Sequence, residues 1–146
     1  MSSSTFLMRL VDTNNSKKIG FGLLVLRIGL SFSMIYLHGY EKLINFSEIG
    51  NDFSDPFGIG NQLSLGLVVF AEFFCSILLI SGLSTRVSTV PLIITMIVAT
   101  WVINGGKDFI YQEKSFIYLI AYATLLITGG GRFSIDYYLQ NRQNKM

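Results

Sequence analysis

Two apolar runs of this chain each carry a full charge near the middle. Arg27 lies within residues 19–39 and Glu72 within residues 63–83. A lone charge at the centre of a bilayer costs about 2.5–3.5 kcal/mol on insertion scales. Chains that keep such a charge pair it or face it into a cavity. The pattern therefore describes a membrane protein with a polar site inside a helical bundle. Composition agrees: 14% of the residues are charged, 51% are hydrophobic and the mean hydropathy is +0.52. A soluble domain carries about 25% charged residues.

Four spans are read, at 19–39, 62–83, 87–103 and 109–128. The expected fold is all-α: an integral membrane four-helix bundle at residues 19–139, between a polar N-terminal tail (1–18) and a C-terminal tail (140–146). The stretch 1–18 does not read as a cleavable signal peptide, because it is polar and the run after it is long enough to span. The apolar heart of the fourth span, 115–128, is short against the 17–25 residues a span needs. It must draw Gln112, Glu113 and Lys114 to the membrane edge. Pro91 is placed in the first turn of the third span, where its missing N–H is tolerated. Ahead of the first span and in the loop and tail on its side stand Arg9, Lys17, Lys18, Arg86, Arg132, Arg142 and Lys145; Lys42, Lys107 and Lys114 face them. Seven against three places both termini in the cytoplasm, and four spans require them to share a side.

Local punctuation refines this reading. Residues 40–61 form a long, acidic outer loop with a turn at Asp55-Pro56 and a short helix near 44–53. Gly82 suits a helix C-terminus, and Ser84 or Thr85 the next N-cap. Gly129-Gly130-Gly131-Arg132 ends the fourth span, and Ser134 caps a short interfacial helix at 135–140. The glycine run lacks the Lys-Ser/Thr ending of a phosphate loop.

Helical steps of three and four put Arg27, Ser31, Met34, His38 and Lys42 on one stripe. At about 1.5 Å per residue, Arg27 to His38 covers about 16 Å. Glu72 shares a stripe with Cys75 and Ser76. With Arg27 and Glu72 at the midpoints of antiparallel neighbours, a direct salt bridge is expected. It serves either to fix the register of the helices or to touch a ligand as well. A second polar group, His38, Lys42, Asn104 and Glu113, gathers at the outer ends of three spans. A histidine with a glutamate there can shuttle protons or hold a quinone head; the plainer reading is interfacial hydrogen bonding, with Lys42 reaching to water.

Several chemistries are excluded. The single His38 rules out a bis-histidine haem within one chain, and no HExxH, CxxC or Cys/His cluster offers a metal site. No Ser-His-Asp set is legible. Cys75 cannot form an internal disulfide and reads as a packing residue; Met34 and Met96 read as packing too. A net charge of +2 without a basic stripe sets nucleic acid aside.

The chain resembles the DoxX family of small four-helix membrane proteins over about residues 20–139. The matching pieces are Leu26-Arg27-Ile28, Gly39-Tyr40-Glu41-Lys42-Leu43, Glu72, Gly82-Leu83-Ser84-Thr85-Arg86, Asp108-Phe109 through Gln112-Glu113-Lys114, and Gly129–Asp136 reading GGGRFSID. It departs from the family pattern at Asn104, where a histidine is common, and at Gly130, where a proline is common. The resemblance implies a multi-pass protein of the bacterial inner membrane. DoxX relatives include a subunit of an archaeal thiosulfate:quinone oxidoreductase, and others accompany membrane systems handling thiol stress. The expected role is thus an accessory subunit with no intrinsic cofactor and a bound quinone. Its partners are the bilayer, a membrane or periplasmic protein, and a second copy in a homo-oligomer. The alternatives are a non-catalytic anchor or scaffold docking a partner on the acidic outer loop and, ranked last, a small transporter or lipid-binding protein.

Overall fold

The computed structural model describes residues 16–143, all helix and loop, with no strand among them. The helices are α1 (Ser16–Ile44), α2 (Phe46–Ile49), α3 (Asn61–Ser81), α4 (Thr85–Ile103), α5 (Phe109–Thr128) and α6 (Ile135–Gln143). Most of the N-terminal tail lies outside the described residues.

Helices α1, α3 and α4, of 29, 21 and 19 residues, are long and apolar enough to cross a membrane. Their outward faces stay apolar: Phe21, Val25, Ile28, Phe32 and Tyr36 form one exposed stripe of α1. Water does not tolerate such faces on three helices at once, whereas lipid does. Helix α5 has 20 residues but carries Gln112, Glu113 and Lys114 near its start, and it is not among the three. It packs along α4 more extensively than any other pair of elements packs. Between the helices lies a small core of Met34, Ala71, Cys75, Leu79, Leu92, Met96, Tyr122 and Leu125.

Each span-capable helix contains a π segment: Ile35–Gly39 in α1, Phe70–Cys75 in α3 and Val98–Ile103 in α4. A π turn widens the helix by one residue per turn and is common at functional sites. Those of α1 and α3 press together. A Cβ on Gly39 would stand 2.9 Å from the Glu72 carbonyl carbon and 3.0 Å from the Phe73 nitrogen. Only a glycine lets the two backbones approach this closely.

The ends of the elements correct several expectations. Helix α1 runs on through Tyr40, Glu41 and Lys42 to Ile44, because its π segment carries the helix past the polar residues. Helix α4 starts at Thr85, so Pro91 falls in its second turn, where Thr95 Oγ1 donates to the Pro91 carbonyl at 3.0 Å. In the outer loop, helix is confined to Phe46–Ile49. Ser134 does cap α6, its Oγ accepting from Tyr137 N at 3.1 Å.

Candidate functional site: a Lys42–Glu72 pair between two clefts

The expected Arg27–Glu72 bridge is absent. Arg27 is fully buried and donates from Nη1 to the Leu79 carbonyl at 3.1 Å and from Nη2 to the Phe133 carbonyl at 2.9 Å. Register explains the difference. Residue 27 of α1 lies opposite residue 79 of α3, and residue 39 opposite residues 72 and 73. Glu72 thus sits about two helical turns from Arg27, roughly 10 Å along the axis. The extension of α1 to Ile44 shifts its midpoint beyond Arg27, so equal depth was a false inference from the apolar run alone.

Arg27 instead anchors a knot that ties the 82–85 turn to the 129–136 turn. Gly82 ends α3 at φ 70° with its missing side chain facing the Arg27 guanidinium. Asp136 N donates to the Gly82 carbonyl at 3.0 Å. The Asp136 carboxylate accepts from Ser84 N at 2.6 Å and Thr85 N at 2.8 Å. It caps α4 from 51 residues away, a task expected of Ser84 or Thr85 themselves. Three separate sequence pieces, around Arg27, Gly82 and Asp136, are therefore one structural lock.

Glu72 pairs with Lys42, Nζ to Oε2 at 2.5 Å, with the two side chains 6% and 21% exposed. The long stem of Lys42 reaches down one turn from the loop end of α1. This pair stands between two clefts. The first, about 270 Å³, is largely apolar; Leu67, Val68, Ile94 and Val98 from α3 and α4 form one wall, and Phe53, Pro56 and Phe57 of the loop cover it. The second, about 220 Å³, holds His38, Asn104, Lys114, Ser115 and Tyr118. Lys42, Glu72 and Ala99 line both. All three π segments contribute to these walls, through His38, Glu72 and Ala99.

Of the outer polar group, His38, Lys42 and Asn104 meet at the second cleft. The His38 ring meets Tyr118 edge-on, with centroids 6.2 Å apart, and Tyr118 OH shares a hydrogen bond with Ser33 Oγ at 2.5 Å. Asn104 closes α4: its Nδ2 donates to the Ala99 carbonyl at 2.8 Å and its Oδ1 accepts from Lys107 Nζ at 3.1 Å. Glu113 is exposed and lines neither cleft; Lys114, itself exposed, and the more buried Ser115 and Tyr118 are the α5 residues that line the second one. Cys75, Met34 and Met96 are buried in the core, and Met34 and Met96 also form cleft wall. Among the described residues, no three His, Cys, Asp or Glu side chains gather as metal ligands.

The loop over the first cleft is held by Asp55. Its carboxylate accepts from Gly60 N at 2.7 Å, Ile59 N at 3.1 Å and Ser64 Oγ at 2.8 Å. These donors, the Gly60 amide foremost, hold its pKa below the ordinary aspartate value.

The DoxX family model matches residues 22–105, more than half of the chain. The chain belongs to the DoxX family. With three span-capable helices, this DoxX protein is a multi-pass membrane protein. The match contains Arg27, His38, Lys42, Glu72 and Asn104 and ends in the turn before α5, so Tyr118 and Asp136 lie beyond it. Comparison with curated proteins and with solved structures finds no match.

Sequence reasoning overlooked Tyr118, Gly39 as a contact point and Asp136 as a cap. Tyr118 follows Lys114 by one helical turn, which is a usable signal once α5 is placed against the cleft. No local signal links Asp136 to a helix start 51 residues earlier.

Proposed function

We propose that this DoxX protein is a non-catalytic membrane subunit of a quinone-linked oxidoreductase system in the bacterial inner membrane, and that the first cleft holds the quinone. The observation that carries the reading is the Lys42–Glu72 pair at the meeting of an apolar cleft and a polar one. A quinone needs that combination: apolar walls for its ring and chain, and a few donors for its carbonyl oxygens. Lys42 is the donor facing the apolar cleft, and Glu72 holds its ammonium in place there. His38 and Tyr118 stand behind the pair, on the side from which protons reach the ring. Electrons come from a partner protein, since the described residues offer no redox centre apart from Cys75, which is buried in the core.

In this reading α5 crosses as the fourth span, with Glu113 and Lys114 at its membrane edge. Both termini then face the cytoplasm, in keeping with the lysine and arginine distribution. The cleft lies near the outer surface under the 50–60 loop.

The test is titration of a short-chain quinone into detergent-purified protein. The single tryptophan, Trp101, is exposed and lines neither cleft, but it shares the π segment of α4 with Val98, Ala99 and Ile103 of the cleft wall, and quinones quench indole fluorescence. Saturable quenching is expected, weakened at least tenfold by Lys42→Met. Equal quenching of both proteins rules out Lys42 as the carbonyl donor.

A further inference from the structure

The end of the molecule opposite the Lys42–Glu72 pair carries a groove of about 1050 Å³. Arg86, from the first turn of α4, and Arg132, from the turn after α5, both line it. Ile19, Leu23, Val87 and Leu139 supply apolar wall. We propose that this groove binds the head of an anionic phospholipid, with the phosphate between Arg86 and Arg132 and the upper acyl chain along the apolar wall.

Four observations support this occupant. First, the groove lies where α1 begins, α3 ends and α4 begins, which places it at headgroup depth for all three span-capable helices. Second, each arginine has donors to spare. Arg86 spends Nη2 on the Ile127 carbonyl at 3.1 Å, and Arg132 spends Nη1 on Ser16 Oγ at 3.3 Å. A guanidinium has five N–H donors arranged for planar oxyanions. Third, the lining holds two arginines against one acid, Asp136, so its formal charge is positive. Both oxygens of Asp136 are taken by the backbone N–H groups of Ser84 and Thr85. Fourth, Gly129 lines the groove beside Arg86, and with no side chain there the space next to the Arg86 Nε stays open. Tyr137 lies beneath Arg132, its ring centroid 5.9 Å from the guanidinium carbon, which holds that charge at the groove. Basic pockets at the ends of membrane helices recognise anionic heads in this way.

The site is independent of the quinone proposal, since no residue lines both this groove and either cleft. Native mass spectrometry of the purified full chain with added phosphatidylglycerol or phosphatidylcholine reads it directly. The expected result is at least tenfold preferential retention of phosphatidylglycerol, abolished in Arg86→Gln/Arg132→Gln and partly kept in Arg86→Lys/Arg132→Lys. Lys107→Gln, at the opposite end, should leave the preference intact. Equal retention of the two lipids by the wild-type chain overturns the proposal, whatever the variants do. So does a preference that survives in the double glutamine variant. Displacement of phosphatidylglycerol by millimolar inorganic phosphate would make the groove a site for a soluble anion instead, and would also overturn it.

Discussion

At the scale of single residues, two buried charges that look alike in sequence do different work. Arg27 donates to the Phe133 carbonyl and to the Leu79 carbonyl, which Gly82 N also reaches, and so holds two turns together. Hydrogen bonds from a charged donor are worth about 1.5–3 kcal/mol each. Arg27→Met should therefore lower stability by about 2–4 kcal/mol, read as a fall in the thermal midpoint in detergent, with ligand binding to the folded fraction unchanged. Gly82→Ala should be comparably harmful, because its backbone is left-handed and a Cβ would collide with the guanidinium. Glu72 is the contrary case. Glu72→Gln leaves a hydrogen-bonding group opposite Lys42, so the fold should persist while quinone affinity falls. A double-mutant cycle over Lys42→Met and Glu72→Gln should return a coupling of roughly 1–3 kcal/mol. A coupling near zero would show that the pair is incidental.

At the scale of elements, the informative features are those that depart from regular helix. The π segments of α1, α3 and α4 coincide in space around one ion pair, although they are far apart in sequence. Apolar periodicity located the helices well, because the bilayer selects length and hydropathy directly. It could not locate the π segments or the true register, which shows in the close contact of α1 and α3 at Gly39. The same blindness produced the Arg27–Glu72 pairing: stripe arithmetic gives faces but not the offset between neighbours. The loop over the first cleft is an element with a predictable pH response. Asp55 has a depressed folded-state pKa, so its anchoring is present above the unfolded value and is lost as pH falls through the folded one. Relative to the intrinsic rate at each pH, hydrogen exchange at residues 57–60 should stay protected at neutral pH and lose that protection only below about 3.9, the ordinary aspartate value. Asp55→Asn should show that loss already at neutral pH.

At the scale of the whole molecule, the parts divide into a lock at one end and a site at the other. The lock, around Arg27, Gly82 and Asp136, fixes how the helices enter the bundle. The site, around Lys42 and Glu72, lies where helix contacts loosen into clefts. The family pieces legible in sequence fall into both. Topology is testable by single-cysteine labelling in a Cys75→Ser background. Asp52→Cys and Lys107→Cys should react from outside the cell, and Ser84→Cys and Gln140→Cys only after permeabilisation. Reaction of Gln140→Cys from outside would mean that α5 does not cross. The central claim, that Glu72 with Lys42 holds a membrane-dissolved quinone, is tested most directly by mass spectrometry of the small molecules that co-purify in mild detergent. The account predicts near-stoichiometric quinone in the wild type and in Arg27→Lys, and its loss in folded Glu72→Gln. Bulk phospholipid alone in the wild type, or quinone retained undiminished in Glu72→Gln, would contradict it.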